Sequence, residues 1–314
     1  MPVLLVTGVF AAAEQREPTQ PSSSGVPVTL PKATTAPRET IGSLYLPVML
    51  DTGGVNMDLE EYLVGVLLAE VSAAFELEAL KAQAVAARTY ALKCHQQGYK
   101  HQGSICTNAA CCQGYLSPER YIEKGGDPDG VDRMRRAVLE TRGQVLYYAD
   151  ELILATYFDC SGGSTEDAAA VWGGSYPYLQ AVESPAEEFA LHYTDEKTFT
   201  PETFQTAIGI GLDGQPETWF GAVTYTPGNG VDTIEICGVP YKGTTLRSLL
   251  GLRSTIFTVK VAENMITFTT RGYGHRVGLS QYGAEAMAMQ GSDYRQILAH
   301  YYRGSYITMY EISA

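Results

Sequence analysis

Basic residues are in short supply in this chain: 22 lysines and arginines stand against 35 acids, a formal net charge of −13. Nucleic acid, which demands a basic face, is excluded as the expected partner, although a locally positive cleft is not. Histidine is scarcer, at 5 residues, and no His-Glu-x-x-His occurs, so a zinc hydrolase has no obvious centre. No internal repeat is evident, so the architecture is not that of a repeat array. What is plentiful is glycine, at 32 residues, and tyrosine, at 21, in a chain 45% hydrophobic. That composition fits a turn-rich fold with one large core or two lobes sharing an interface, and aromatic surfaces suited to sugars.

The start of the chain differs from the rest. Met1 to Ala13 carries no charge, is too short to span a bilayer and lacks the basic start of a signal peptide. Residues 14–39 are rich in Pro, Ser and Thr with no hydrophobic period, the composition of a disordered stalk. An apolar stub and stalk over residues 1–39, then a domain over 40–314, is the layout of a membrane-tethered protein facing outward. An extracytoplasmic location with an N-terminal membrane anchor is therefore expected. An ordinary loose terminus is the plainer alternative.

Within the domain, Leu44–Leu50 reads as a strand turned by Asp51-Thr-Gly-Gly54. Asp58 caps a helix with Glu61 as capping-box partner, and Leu59, Tyr62, Leu63, Val66 and Leu67 form its buried stripe. The next step along that stripe is Glu70. A carboxylate there faces inward near the negative end of the helix dipole, and both effects favour its protonated form. A second helix, Leu77 to Lys93, carries a thin seam of Leu77, Leu80, Ala84, Ala87 and Ala91. Lys81 and Arg88 share another face of it, either as a solvated stripe or as a positive wall beside Glu70. From position alone, a structural Glu70–Arg88 ion pair is the plainer reading.

Further along, a helix is expected over Val131–Thr141, closed by Gly143, and a hairpin over 144–148 and 152–158. A polar glycine loop follows, Asp159 to Thr165. A smaller lobe is expected over about 195–254, with a helix at Pro201–Ile208, a strand at Asp232–Cys237 and a helix capped by Thr244. Strands at 255–261 and 265–270 lead to a glycine loop, Gly272 to Ser280, and a helix ending near Gly291. The fold class is α+β: a two-lobed mixed-sheet domain with packed helices, preceded by a disordered stalk.

Three segments carry a more specific message: LLAEVSAAFELEALKAQAVAARTYAL from Leu67, YFDCSGGSTEDAAAVWGGSYPYLQAV from Tyr157, and GYGHRVGLSQYGAEAMA from Gly272, with ILAHYYRG after it. Together with LRSLLGLRSTIF from Leu246 they resemble the stage II sporulation protein D family, which includes amidase-enhancer-like proteins. The resemblance covers residue 40 to the C-terminus. It implies a lytic transglycosylase of peptide-stripped peptidoglycan strands, with the catalytic glutamate falling on Glu70 and a partner amidase that removes the stem peptides. Lys81, Arg88, Tyr90, Gln113, Ser161, Gly162, His275, Gln281 and Tyr282 also match family positions and are expected around the cleft. His275 is a structural histidine or a catalytic one on equal terms. The family usually reads His-Gly-Val-Gly-Met where this chain has His275-Arg-Val-Gly-Leu279, so Arg276 brings a side chain into a glycine position. Cys160 stands where serine is common.

Such an enzyme needs one carboxyl group. It protonates the leaving oxygen and then, ionised, takes the proton of the sugar's own C6 hydroxyl as that oxygen attacks C1. A hydrolase would add a second carboxylate, for which Asp159, Glu166 and Asp167 are the candidates, though their loop points to turn and capping work. The rival class is a non-catalytic glycan-binding activator of a cell-wall amidase.

Four of the six cysteines, Cys94, Cys106, Cys111 and Cys112, fall within 19 residues, unlike a disulfide framework spread over a domain. The spacing His101-x4-Cys106-x5-Cys112 is close to a zinc site found in some members of the family. The expected set is His101, Cys106 and Cys112, with Cys94 or water as fourth ligand and Cys111 competing with Cys112 for one place. Such a zinc would be structural, pinning the loop that presents Gln113 and Tyr115. A disulfide, Cys94–Cys106 or Cys106–Cys111, is the competing expectation.

Overall fold

The computed structural model describes residues 43–98 and 101–311. The expected stub and stalk, residues 1–39, fall outside the described residues. Tyr45–Leu50 (β1) and Gly53–Asp58 (β2) form an antiparallel hairpin, and the parallel strand Ile105–Cys106 joins the other edge of β1. The hairpin leads directly into helix α1, Leu59–Glu70. The Asp58 carboxylate accepts from the N–H groups of Glu60 and Glu61, satisfying two of the orphan donors of the first turn. The Glu61 carboxylate turns away to Arg135, 3.9 Å off, so the reciprocal half of the expected capping box is not made.

Helix α2 runs from Leu77 to Gln97, one turn beyond the expected end, and stops where Gly98 adopts the left-handed φ of 55°. Its alanine seam lets neighbouring backbones come close: Ala82, Ala84, Ala86, Ala87 and Ala91 have no exposed surface. It is therefore the central rod of the main core. A short helix Pro118–Glu123 (α3) packs on α1, while around α2 itself pack α1, the helix Pro128–Glu140 (α4), and helices Gln281–Met289 and Tyr294–Tyr301. Asp127 caps α4, with Pro128 in its first turn, which starts it three residues before the expected Val131.

The expected hairpin after α4 is shorter than its apolar pattern. Gln144–Tyr148 pairs with only Glu151–Leu152, and its other edge takes the C-terminal strand Tyr306–Met309. The chain then leaves this sheet so that Tyr157–Phe158 can pair in parallel with Leu279–Ser280. That pairing, with a bridge between Cys160 and Tyr273, holds the two glycine loops side by side.

A second hydrophobic cluster is built on two three-stranded sheets. One joins Phe220–Tyr225, Val231–Ile236 and Val239–Lys242; the other joins Thr194–Phe199, Met265–Arg271 and Ile256–Ala262. Phe204, on the helix Pro201–Ile208, is fully buried among the rings of Phe199, Trp219, Phe220 and Phe268. Burying each such ring stabilises the fold by about 1.5–3 kcal/mol. The cluster includes Phe257, Ile266 and Phe268, so this smaller core extends past residue 254. Among the described residues, no helix is long and apolar enough to cross a membrane.

Candidate active site

The C-terminus of α1 points Glu70 into a cavity of about 460 Å³. Tyr90 from α2, Tyr157, Trp172, Tyr176 and His275 contribute rings to its walls, and Ala109 to Cys112 close one side. Glu70 is the only carboxylate among the described residues that line it. Burial raises its pKa above the ordinary carboxylate range; the Gly114 N–H, and more weakly the Gln281 amide, pull it partly back. Neither is a cation. The Gln281 amide lies near the carboxylate, yet its Nε2 has no acceptor in hydrogen-bonding geometry.

The Gly114 N–H donates to Glu70 Oε1 at 2.6 Å. A Cβ at residue 114 would stand 2.8 Å from that oxygen and 3.3 Å from the Ala69 Cβ, so only glycine lets the loop approach this closely. Gln113 and Tyr115, expected to face the cleft, are turned the other way. Buried Gln113 accepts from the Tyr62 hydroxyl at 3.3 Å and donates to the Tyr157 hydroxyl at 2.8 Å, so it positions a ring that does line the cavity. Tyr115 stacks on Tyr62 and fills the space beside Gly65.

Of the other expected residues, the structure brings Tyr90 and His275 to the cavity alongside Glu70. It does not bring Lys81 or Arg88 there. Lys81 sits between Glu78 and Glu140 at 2.7 and 2.6 Å. Arg88 is fully buried against Glu60, at 2.5 Å, and also donates to the carbonyls of Val138 and Gln144. Its face of α2 is turned toward α4 and the turn that follows it, so the expected positive wall, and the Glu70–Arg88 pair, are both corrected to a structural Arg88–Glu60 pair. Ser161 and Gly162 are likewise withdrawn. The Ser161 hydroxyl donates to buried Glu187 at 3.0 Å, and Gly162, with φ 76°, lies against the backbone of Arg271 and Gly272. Tyr282 packs edge-on against Phe75 and Phe189, away from the cavity walls.

His275 is held neutral. Burial, reinforced by Arg247, pushes its pKa down to about 4. Its Nδ1 accepts from the Val277 N–H at 3.1 Å, which leaves the proton on Nε2. Arg276 adopts the left-handed φ of 66° that suits the family's glycine, and its side chain is completely buried. It donates to the carbonyls of Ser161 and Ser164 at 2.9 and 2.8 Å, to that of Gly228, and to the Thr255 hydroxyl, and it faces Glu166 at 3.7 Å. The candidate second carboxylates thus have other work. Glu166 is tied to Arg276 and Thr226, Asp167 accepts from the Ala181 N–H at 2.6 Å, and Asp159 does not reach the cavity wall.

The cysteine loop forms a second centre against the first. The ligand atoms of His101, Cys106, Cys111 and Cys112 all lie within 4.8 Å of one another, with His101 Nε2 3.3 Å from Cys111 Sγ. Both Cys111 and Cys112 donate their N–H groups to the Asn108 carbonyl at 2.9 Å, a turn tight enough to aim adjacent thiols at one point. Cys111 therefore fills the fourth place. Cys94 does not, because the extra turn of α2 buries it in the helix seam. None of the six cysteines, all of them among the described residues, is joined in a disulfide. Burial notwithstanding, the N–H of Asn108 and the neighbouring thiols hold the Cys106 thiol below its usual range, while burial and Cys106 push Cys112 up to about 12. In a tetrahedron with metal–sulfur bonds of about 2.3 Å, ligand atoms stand roughly 3.8 Å apart, and this quartet fits that size.

Sequence reasoning missed Trp172, Tyr176 and Tyr157, although aromatic residues between glycines were a visible signal. It also missed Gly114, whose contribution is a backbone group that no side-chain pattern announces.

Comparison with known proteins gives the family. Residues 53–148 match the family model described as stage II sporulation protein. The chain is 39% identical over 255 residues to stage II sporulation protein D of Bacillus amyloliquefaciens, covering 79% of this chain and 74% of that one. It is also 39% identical to the protein of the same name from Bacillus subtilis (strain 168), covering 81% and 75%. The amidase enhancer of Bacillus subtilis (strain 168) is 29% identical, over 79% of this chain and 40% of the relative. Matched over about three quarters of these two sporulation proteins at 39% identity, the chain belongs to the stage II sporulation protein D family.

Proposed function

We propose that the chain is a lytic transglycosylase that cleaves the link between N-acetylmuramic acid and N-acetylglucosamine in peptide-stripped glycan strands. The observation that carries this reading is the solitary carboxyl group in an aromatic-walled cavity. Protonated Glu70 gives its proton to the glycosidic oxygen as the C1–O bond breaks. The C6 hydroxyl of the same muramic acid attacks C1, and its proton returns to the Glu70 carboxylate. No water is consumed, the enzyme's acid is regenerated, and the new end is 1,6-anhydro-N-acetylmuramic acid. The Gly114 N–H stabilises the intermediate carboxylate without fixing it permanently ionised, as a paired arginine would. Neutral His275 serves as a wall of the cavity, not as a second acid.

We infer further that His101, Cys106, Cys111 and Cys112 hold a structural zinc. When bound, it supplies folding energy and fixes the loop; the residues from Cys112 to Gly114 carry that order to Glu70. The work belongs to wall remodelling during sporulation, on the outer side of the membrane to which the N-terminus anchors the domain, beside an amidase that strips the strands. The decisive experiment is mass spectrometry of products from peptide-free strands with the wild type and Glu70→Gln. Anhydro ends that vanish in the variant support this reading, whereas reducing ends would mean hydrolysis. A second reading, a glycan-binding activator of an amidase, draws on the relative named amidase enhancer. It would be favoured if neither protein cleaves and Glu70→Gln still stimulates an amidase.

A further inference from the structure

Three arginines wholly or partly withdrawn from solvent each face a carboxylate: Arg88 has Glu60, Arg253 has Asp195 and Arg276 has Glu166. Arg247, half-buried on the helix Gly243–Leu250, has none within 4.0 Å among the described residues. Its Nε donates to the Arg253 carbonyl at 3.2 Å, and the same carbonyl accepts from the Gly274 N–H at 3.1 Å. This shared acceptor sets the guanidinium beside the backbone that carries His275, a wall of the Glu70 cavity. Its Nη1 and Nη2 donate to nothing among the described residues. Burial lowers the pKa of Arg247, the signature of a cation that has lost water without gaining a counter-charge.

The neighbourhood suits a saccharide that brings its own negative charge. Trp172, 43% exposed, lies with its ring 5.2 Å from that of His275, and Tyr273, 42% exposed, covers the adjoining loop. Exposed rings present flat apolar faces to sugars, and a guanidinium with two idle nitrogens forms a fork matched to a carboxylate.

We propose that Arg247 recognises the free lactyl carboxylate of N-acetylmuramic acid, making it the residue that selects strands from which the peptide has been removed. In an intact strand that carbon is a neutral amide; stripping the peptide turns it into the anion that Arg247 lacks. The inference rests on the glycan reading of the cavity.

The test measures binding, without cleavage, in the Glu70→Gln protein. The probes are a GlcNAc–MurNAc tetrasaccharide with free lactyl carboxylates, the same sugar with methylamides there, the same sugar carrying stem peptides, and chitotetraose. The carboxylate form should bind at least tenfold tighter than the methylamide and peptide forms. Adding Arg247→Gln should erase that preference and leave chitotetraose binding unchanged, which also reports an intact fold; Arg247→Lys should retain part of it. A preference that survives Arg247→Gln overturns the proposal. So does equal binding of carboxylate and methylamide by the protein with Arg247 intact, an arm that needs no variant at this position. Tighter binding of the peptide-bearing sugar would assign the anion to the stem peptide instead. Carboxylate preference in a protein whose wild type fails to cleave would leave Arg247 standing and remove the transglycosylase reading.

Discussion

The Gly114 N–H meets Glu70 Oε1 at 2.6 Å, a backbone donor set against the one carboxyl group that the described residues bring to the cavity. The bond selects the ionised form, and burial selects the neutral one, with burial the larger effect. The result is an acid whose proton is held above the carboxylate range and whose conjugate base is not left bare. Gly114→Ala places a methyl group 2.8 Å from the oxygen and forces the pair apart. Cleavage should fall on the order of 100-fold, as expected when a reacting group is displaced by about an ångström. The alkaline limb of the pH–rate profile should move up, because the donor that favoured the carboxylate is gone. An unchanged profile would mean that the bond does not govern the proton on Glu70.

Glu70 also has a stability consequence whose sign follows from burial. Its folded pKa is raised, so its contribution to stability is complete below the unfolded carboxylate range and is lost as pH rises through the folded value. Once pH has risen through the folded value, the wild type must keep a charge in a half-buried site that Glu70→Gln does not. The variant should therefore resist urea better than the wild type on the alkaline side of that value. The two midpoints should converge below about pH 4, where the carboxyl group is protonated in both the folded and the unfolded chain. A variant weaker than the wild type across the range would show that the Gly114 bond outweighs burial.

The sequence made α1 and its inward carboxylate legible because a helical stripe is periodic, and one more step of the period lands on Glu70. The helix Pro201–Ile208 was as clear, with Thr200 capping it, Pro201 in the first turn and Gly209 closing it. Arg88 was misread for the opposite reason. Periodicity places residues on a face, but it does not say whether that face meets solvent, the cavity or α4. The partner, Glu60, lies 28 residues away and only tertiary packing joins them. The Cys111 assignment failed on turn chemistry, since two adjacent side chains converge only when both N–H groups share the Asn108 carbonyl. Gly114 was invisible because its role belongs to the main chain.

Arg276 occupies a glycine position at φ 66° and stays there because its guanidinium supplies donors that nothing else provides. A left-handed non-glycine residue costs about 1–2 kcal/mol, which Arg276→Gly would recover. Breaking a buried ion pair costs about 3–5 kcal/mol, which it would forfeit, leaving Glu166 and the carbonyls of Ser161, Ser164 and Gly228 without their donor. The second effect is larger. Restoring the family's glycine should therefore destabilise this protein by about 1–4 kcal/mol in a denaturant titration, the difference between those costs. A neutral or stabilising outcome would mean that water replaces the guanidinium without loss.

The cysteine series separates a metal centre from a disulfide. Elemental analysis should find about one zinc per chain, and Cys106→Ser or Cys112→Ser should abolish it, because a tetrahedral thiolate site rarely survives loss of a sulfur ligand. Cys94→Ser and Cys160→Ser should retain full metal, since both side chains lie buried outside the quartet. Cys111→Ser is the informative case. If the four atoms within 4.8 Å act together, its metal is lost or weakened as with the other two sulfurs. If Cys111 is a bystander, metal content stays whole and water takes the fourth place. Chelation of the wild type should lower its melting temperature and expose the 101–114 segment to protease, the physical counterpart of releasing Gly114 from Glu70. Loss of metal with no change in either measurement would remove the link between the two centres.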